Sequence, residues 1–443
     1  MARTGTAPTA PAPVEGVSPV AAPPRDEAGA AGPARPSRPA RPSDLAAVVG
    51  VVGILVLVGR AGEPGWQLVR LIVVAVAGVL VIGVRRRGGP PAVAVSWAAG
   101  LAATAAGLGV GVPHLAKDGG IVPIVAAGAC LVGGLVLLVA AVVHLVRSAP
   151  RWWRLAVAPI VGLPTVVLLA TATIAVAATN VPPTPLDGRT PADVGLASED
   201  VSVPTAEGPV LSGWYVPSRD GAAVVVLHGA GSTRTDVLDH AVVLARHGLG
   251  VLLLDARGHG RSEGTAMDLG WWGDSDVAAA VTFLRGRPDV DDDRIGAVGL
   301  SMGGEEALGA LGADPRLRAV VAEGATGRVA GDDAWLADVH GWRGSVQGVI
   351  SRVRDATVAM LTDAPAPGSL RSAVAAAGPR RALVIAGGDV PDEGDVARDL
   401  QRTAPAVVEV WVVPGSGHTA GLATRPAEWE QRVVRFLEAQ LGR

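Results

Sequence analysis

Three long stretches without a charged residue constrain this chain more than any other feature. They are 21 to 25 residues long and consist mainly of small and apolar side chains. A helix of about 20 such residues spans the hydrocarbon core of a bilayer. Two weaker apolar runs precede them, Leu45–Gly59 and Trp66–Val84. We therefore predict an all-α transmembrane bundle of about five helices over residues 44–179. The three long stretches are Ala92–Val112, Ile121–Leu145 and Leu155–Ala178.

The cations between the apolar runs predict how the helices are oriented. Nine arginines lie on one side of the predicted bundle and three cations on the other. Because cytoplasmic loops carry an excess of Lys and Arg, we place the N-terminus in the cytoplasm. Five crossings then put everything after Ala178 outside the cytoplasm. If the two weaker runs form a re-entrant hairpin instead, three crossings remain and this placement is the same. The nine are Arg35, Arg38, Arg41, Arg85, Arg86, Arg87, Arg147, Arg151 and Arg154.

The segments on either side of the predicted bundle differ in composition. Residues 1–43 contain 10 Pro and 11 Ala without apolar periodicity, which predicts a disordered tail. Residues 180–196 contain four prolines and form a predicted linker. From residue 180 onward there are 24 cations and 35 anions, which indicates an acidic, soluble-looking domain over residues 197–443 and disfavours nucleic-acid binding. The single cysteine, Cys130, excludes a disulfide framework and a cysteine-based zinc site.

The C-terminal region alternates short β-rich runs with helical patterns, which predicts an α/β domain with a mostly parallel sheet and crossover helices. Residues 325–375 break this alternation and are interpreted as a helical insertion over the site. Helices are predicted over Thr235–Arg246, Asp274–Leu284, Met302–Leu311 and Ala427–Leu441. The predicted strands are Asp200–Val203, Val210–Tyr215, Ala223–Leu227, Gly250–Asp255, Arg294–Gly299, Ala319–Glu323, Ala382–Ala386 and Val407–Val412.

The segment Gly299–Gly304 lies between a predicted strand and a predicted helix and reads GLSMGG. A nucleophile elbow needs this context, because a tight turn lifts the serine clear of the sheet and glycines let backbone segments approach. We therefore predict that Ser301 is a nucleophile. Its oxyanion would be held by the amide of Met302 and by the amide of Ala230, in the turn that follows the third predicted strand.

A serine nucleophile needs a base and an acid that orients the base, in the chain order Ser, acid, His for this kind of elbow. Of the two histidines after Ser301, His418 follows a strand and is the predicted base, whereas His340 lies in the insertion. Three carboxylates follow the preceding strand. Asp389 lies closest to the strand end and is the predicted acid, while Asp392 and Glu393 stay open.

Together these segments resemble the α/β-hydrolase family, near its serine-aminopeptidase, prolyl-oligopeptidase and dienelactone-hydrolase branches. The resemblance covers residues 196–443. It implies that the second of its motifs is structural, so that His259 is not the base. One departure concerns the acid loop, where the family usually has Gly-x-x-Asp and Asp389 follows Gly387 by two residues. The motifs are HGAG at 228–231, Asp255–Ser262, Gly299–Gly304 and Gly415–His418.

The resemblance implies a serine hydrolase that needs no metal or organic cofactor, and the apolar runs predict that it is anchored to a membrane. Its expected substrate is a small ester, favoured over a peptide, and its other expected partner is the lipid bilayer; homo-oligomerisation through the membrane helices stays open. The alternative is an inactive hydrolase-fold domain that serves as a binding or assembly module. Four tryptophans are candidates for an acyl pocket or for the core: Trp271, Trp272, Trp335 and Trp342.

Overall fold

The computed structural model describes residues 42–58 and 64–442 of the chain. Residues 1–41, which make up nearly all of the predicted disordered tail, lie outside the described residues. Within the described part, an N-terminal group of helices is followed by a larger domain built around one β-sheet.

Five helices cover the five apolar runs of the sequence. The last four are long and apolar enough to cross a membrane, which is compatible with a membrane region, whereas the first is shorter. Their bounds are α1 (Pro42–Val58), α2 (Pro64–Arg87), α3 (Gly89–Ala116), α4 (Ile121–Ser148) and α5 (Arg154–Thr179).

Small residues bring α3 and α4 into close contact. A Cβ atom added to Gly107 would lie 2.6 Å from the backbone nitrogen of Leu131, and one added to Gly134 would lie 2.5 Å from that of Thr104. No side chain fits at either position without moving the neighbouring helix. Packing through small residues is typical of helices in membranes, where backbones approach closely.

The C-terminal domain contains an eight-stranded sheet in the order β1-β2-β4-β3-β5-β6-β7-β8. The strands from β3 to β8 are parallel, whereas β2 runs antiparallel to both β1 and β4. All eight predicted strands are present. Their bounds are β1 (Glu199–Pro204), β2 (Val210–Val216), β3 (Gly221–Leu227), β4 (Gly250–Leu254), β5 (Val290–Leu300), β6 (Ala319–Glu323), β7 (Arg381–Gly387) and β8 (Val408–Val413).

Helices cover both faces of the sheet. One buried apolar cluster joins the sheet to α7, α8, α11 and α12, and a second joins it to α6 and α14. The continuous apolar core of β3 is buried on both faces, as expected for a central parallel strand. The helices are α6 (Leu238–Arg246), α7 (Gly273–Arg285), α8 (Met302–Ala313), α9 (Ala334–His340), α10 (Trp342–Leu361), α11 (Leu370–Ala376), α12 (Pro391–Thr403), α13 (Gly421–Thr424) and α14 (Pro426–Gln440).

Outside the insertion, the sequence interpretation missed the four-residue helix α13 and the longer helix α12, the latter because it treated residues 387–393 as an open loop. Pro391 stands at the first helical position, and Asp392 and Glu393 lie in the first turn. Proline at this position and acidic residues in the first turn both favour a helix start. The loop after β7 is therefore short, and Glu393 belongs to a helix.

The insertion between β6 and β7 contacts the N-terminal helices. Val358 of α10 and Ala175 of α5 share a small buried cluster with Trp271 and Ala364. Arg70 of α2 also forms a 2.5 Å ion pair with Asp363, just after α10. The insertion is thus fixed to the apolar helices as well as to its own sheet.

Candidate active site

Ser301 stands at a sharp turn between β5 and α8. Its backbone has φ of +54° and ψ of −120°, a conformation that non-glycine residues rarely adopt. The flanking glycines are required by close packing. A Cβ at Gly303 would lie 2.7 Å from the carbonyl oxygen of His228, and one at Gly299 would collide with the backbone of Gly303. This is the geometry that the GLSMGG segment predicts for a nucleophile elbow.

The turn after β3 lies directly beside this serine. A Cβ added to Gly229 would lie 3.2 Å from the Cβ of Ser301. The Met302 amide belongs to the first residue of α8, and the Ala230 amide belongs to the adjacent turn. Across residues 42–58 and 64–442, neither amide donates a hydrogen bond to a protein acceptor. Both amides are therefore free to bind an oxygen of a substrate.

Two buried histidines hold the turn after β3 against the loop after β4. His228 Nε2 accepts a hydrogen bond from the Ala256 amide (3.0 Å), and its Nδ1 donates to the Gly229 carbonyl (2.8 Å). His259 Nε2 accepts from the Gly231 amide (3.1 Å), and its Nδ1 donates to the Arg257 carbonyl (2.9 Å). These bonds assign the Nδ1–H tautomer to both rings.

The protonation of these two histidines matches their bonding. Burial lowers the pKa of His228 and of His259 to about 4, so both rings are neutral at pH 7. A neutral ring can accept a hydrogen bond from an amide through Nε2, whereas a protonated ring cannot. His259 is therefore bonded through both nitrogens to the backbone, as expected for a structural residue.

His418 lies after β8 with 49% of its side chain exposed. Its Nδ1 is 2.6 Å from Oε1 of Glu393, whose side chain is only 1% exposed. The other carboxylate oxygen, Oε2, accepts a hydrogen bond from the Gly387 amide (2.7 Å). The Glu393 carboxylate is thus fixed at both oxygens and orients the imidazole, leaving Nε2 of His418 free to exchange protons.

The expectation that Asp389 is the acid partner of His418 does not agree with this geometry. The structure pairs His418 with Glu393, while Asp389 is tied to the same loop through its backbone, with its amide donating to the Ser416 carbonyl (3.0 Å). Glu393 reaches the histidine because α12 begins at Pro391 and carries Glu393 in its first turn. Asp392, the third candidate, is exposed.

The last residue of β6 and the glycine after it lie between Ser301 and His418. The Ser301 amide donates to the Glu323 carbonyl (2.7 Å), and a Cβ added to Gly324 would lie 3.0 Å from Cε1 of His418. Among the described residues, Ser301 Oγ and His418 do not form a hydrogen bond with each other. Such bonds are often long without substrate and tighten in the complex.

Glu323 is a positioning residue that the sequence interpretation missed. Its Oε1 accepts from the Gly421 amide (2.7 Å), and its Oε2 accepts from Trp429 Nε1 (2.9 Å). Burial raises the pKa of this carboxyl. Because Gly421 follows His418 by three residues, Glu323 fixes the loop that carries the histidine. A carboxylate at the end of a buried strand was the available signal.

A known family model matches part of this site region. Residues 218–365 match the model described as serine aminopeptidase, S33. The match contains the turn after β3 and the elbow, and the sheet order places these two segments on neighbouring strands. The C-terminal domain, residues 197–443, therefore contains a region similar to this hydrolase family, and we call it the hydrolase domain.

Curated relatives match about a quarter of this chain. An uncharacterized protein of Mycobacterium tuberculosis is 40% identical over 116 residues, which are 26% of this chain and 41% of the relative. The thiohydrolase aneE of Aspergillus aculeatus is 35% identical over 131 residues, which are 28% of this chain and 40% of the relative. The chain thus spans about two fifths of the length of these relatives.

A solved esterase structure from Pyrococcus furiosus is similar to part of this chain. It is 24% identical and covers 59% of this chain and 97% of its own, with a TM-score of 0.46.

The other residues singled out from the sequence lie in several environments of the hydrolase domain. His340 is exposed at the end of α9, beside Trp335. Trp271 and Trp335 are buried, whereas Trp342 is 73% exposed. Trp272 packs under the guanidinium of Arg257, 4.4 Å from the ring centroid. Among the described residues, no group of three His, Cys, Asp or Glu side chains is arranged to hold a metal ion.

Proposed function

We propose that this protein is a serine hydrolase in which Ser301, His418 and Glu393 act as a catalytic triad. The observation that carries the proposal is the 2.6 Å contact between Nδ1 of His418 and Oε1 of the buried Glu393. This contact lies at the carboxyl ends of the parallel strands, where Ser301 stands in a turn with a positive φ. Acyl transfer requires an accessible serine, an imidazole that can exchange protons with it, and a carboxylate that orients the imidazole.

The proposed reaction proceeds in two steps. Ser301 Oγ attacks a carbonyl carbon while His418 Nε2 accepts the serine proton, and the Met302 and Ala230 amides hold the resulting oxyanion. His418 then protonates the leaving group, which departs and leaves an acyl-serine. A water molecule, deprotonated by His418, attacks this intermediate, and Ser301 regains its proton as the acid is released. The Glu393 carboxylate stabilises the imidazolium in both steps.

We propose esters, including thioesters, as the substrate class. The Aspergillus aculeatus relative supports this choice, since it is named a thiohydrolase. An ester or thioester leaving group departs more readily than an amine, so it depends less on protonation by His418. Peptide hydrolysis is the competing outcome, because the matching family model is described as a serine aminopeptidase.

The proposal includes anchoring of the hydrolase domain to a membrane. Helices α2 to α5 have the length and composition of membrane spans. Arginines are in excess at the helix ends that share one side of the predicted bundle with the N-terminus. This excess supports a cytoplasmic N-terminus and a hydrolase domain on the opposite side of the membrane.

Substrate profiling of the full-length protein tests the substrate class. We expect the detergent-solubilised protein to hydrolyse p-nitrophenyl esters and acyl thioesters faster than aminoacyl p-nitroanilides. The Ser301→Ala variant should lose at least about 10³-fold in kcat on every substrate that the wild type cleaves. Faster cleavage of the anilides would show a peptidase. Equal rates for the wild type and Ser301→Ala would show that the triad is not the catalyst.

A further inference from the structure

Helix α10, in the insertion of the hydrolase domain, carries an apolar stripe on its outer side. Six residues at helical spacing form this α10 stripe, and they share one face because side chains three or four positions apart lie together on a helix. Most of them are exposed, Trp342 by 73% and Met360 by 70%. The stripe consists of Trp342, Val346, Val349, Val353, Ala356 and Met360.

The opposite face of α10 is the one that contacts the protein. Gly344, Ser351 and Val358 are buried there. Asp355 also lies on the inner side, where it accepts a hydrogen bond from the Ala330 amide (2.6 Å). A helix on a water-soluble surface normally turns its apolar face to the core. Here the apolar face points outward, which indicates an apolar environment outside the protein.

Helix α10, which carries the stripe on its outer face, packs with its inner face against α5. Val358 packs against Ala175 near the C-terminal end of α5, so the two helices lie side by side. Along α5 the outward residues are also large and apolar, and they include Leu163, Val166 and Ile174. Since α5 is one of the four helices long enough to cross a membrane, the medium around α5 adjoins α10 as well.

The charges of α10 favour an anionic lipid surface. Arg343 lies on one flank of the stripe and Arg352 on the other, both exposed. Arg354 instead forms an ion pair with Asp355 (2.8 Å). The only acidic residue of the helix, Asp355, is on the inner side. Long arginine side chains can keep their charged ends at the headgroups while apolar neighbours enter the acyl region. Trp342, at the N-terminal end of the stripe, has the amphipathic ring typical of membrane interfaces.

We propose that the α10 stripe inserts into the interface of the same bilayer that holds α2 to α5, with Arg343 and Arg352 on anionic headgroups. This inference rests on the membrane anchoring included in the proposed function. The insertion is then a lipid-bound element of the hydrolase domain and holds this domain at the surface of the leaflet. Esters dissolved in that leaflet are the substrate class that this arrangement favours.

Site-directed spin labelling of the full-length protein tests the proposal. Cys130, which is buried among the apolar helices, is first replaced by Ala, and single cysteines are then introduced as Val346→Cys and Val349→Cys. Val412→Cys is the matched control, since Val412 is an exposed valine on the edge strand β8. Each variant is labelled with a nitroxide and reconstituted into nanodiscs that contain phosphatidylglycerol and phosphatidylcholine.

We expect the labels at positions 346 and 349 to be reached severalfold more readily by oxygen, which concentrates in lipid, than by a water-soluble nickel chelate. The control label should show the reverse preference. Labels at 346 and 349 that behave like the control would overturn the proposal, because α10 would then face water. Labels that are immobilised and shielded from both reagents would also overturn it, since that pattern indicates contact with a second copy or with another protein.

A catalytic variant separates this inference from the proposed activity. The accessibility measurement needs no substrate, so adding Ser301→Ala should leave the labels at 346 and 349 in lipid. Lipid accessibility without ester hydrolysis would contradict the triad alone. Hydrolysis with water-accessible labels would contradict the inserted α10 stripe alone.

Discussion

Two carboxylates near the end of β7 show why a side chain's role depends on the element that carries it. Asp389 is nearest to the strand in sequence, yet His418 contacts Glu393, four residues further along. The first turn of α12 brings Glu393 back over the strand end, where Gly387 donates to its second oxygen. Ser301 and His418 could be chosen from the sequence because glycine-rich turns and chain order mark them. The acid partner could not be chosen from the sequence, because three carboxylates lie in one short segment.

Replacing the acid partner of His418 should impair catalysis much more than replacing its neighbour. We expect Glu393→Gln to lower kcat for ester hydrolysis by about 10²- to 10⁴-fold, since the amide cannot stabilise the imidazolium. Asp389→Asn, the matched control, should keep kcat within about twofold, because a surface substitution leaves the triad intact. Steady-state kinetics on one p-nitrophenyl ester measures both. A larger loss in Asp389→Asn than in Glu393→Gln would reverse the assignment.

Glu306 is a carboxylic acid buried in α8, behind the elbow. Burial, followed by the nearby carboxylates of Asp276 and Glu305, raises its pKa well above the usual value. The folded state therefore binds a proton that the unfolded state releases at lower pH. The stabilisation from this proton is complete below the ordinary glutamate pKa and is lost as pH rises through the raised pKa.

Glu306→Gln removes this proton dependence. We expect the variant to be more stable than the wild type at pH 8, by about 1 kcal/mol, and to show little difference at pH 4. Thermal unfolding followed by intrinsic fluorescence across this pH range measures the effect. Glu409→Gln is the control, because Glu409 is exposed on β8, away from this cluster, and its replacement should leave the pH dependence of stability unchanged. Equal pH dependence in wild type and Glu306→Gln would contradict the buried proton.

At the level of elements, the sheet was predictable because its strands are short continuous apolar runs between turn residues. All eight strands and the four predicted helices of the C-terminal domain are present. Helix α12 was missed because it is strongly polar, with acidic and basic residues on much of its surface. The signals for its start, Pro391 and the acidic residues of the first turn, are present in the sequence. The acidic residues were considered only as candidates for the triad acid.

Close contact between α3 and α4 leads to a prediction about glycine. We expect Gly107→Leu to destabilise the helical bundle by about 1–3 kcal/mol, because the new side chain must displace the backbone of α4 at Leu131. Gly128 is the control, because a Cβ added there would meet no neighbouring atom within 4 Å among the described residues. Gly128→Leu should unfold at the wild-type temperature in the same detergent. Similar unfolding temperatures for both variants would contradict the packing.

At the scale of the whole molecule, the contact between the insertion and the apolar helices could not be predicted from sequence. It depends on side chains that are far apart in the chain, such as Arg70 and Asp363, or Ala175 and Val358. The sequence does predict on which side of a membrane the hydrolase domain lies, through the distribution of arginines.

Reporter fusions test this orientation. We expect alkaline phosphatase fused after Arg443 to be active, because that enzyme folds correctly only outside the cytoplasm. Green fluorescent protein fused at the same position should stay dark, because it does not fold correctly after export as an unfolded chain. Weakening the arginine bias, by replacing Arg85, Arg86 and Arg87 with Gln so that six arginines instead of nine face three cations, should reduce the phosphatase signal. A fluorescent fusion with no phosphatase activity would place the hydrolase domain in the cytoplasm.

The assignment of Ser301 as a nucleophile activated by His418 and Glu393 is best tested by the rate at which a fluorophosphonate modifies the full-length protein. Mass spectrometry should locate the adduct on Ser301 in the wild type and in Asp389→Asn, with similar rates. The rate should fall by at least about 10²-fold in Glu393→Gln, and Ser301→Ala should not react. An adduct that forms at another residue, or equal rates in the wild type and Glu393→Gln, would refute the assignment.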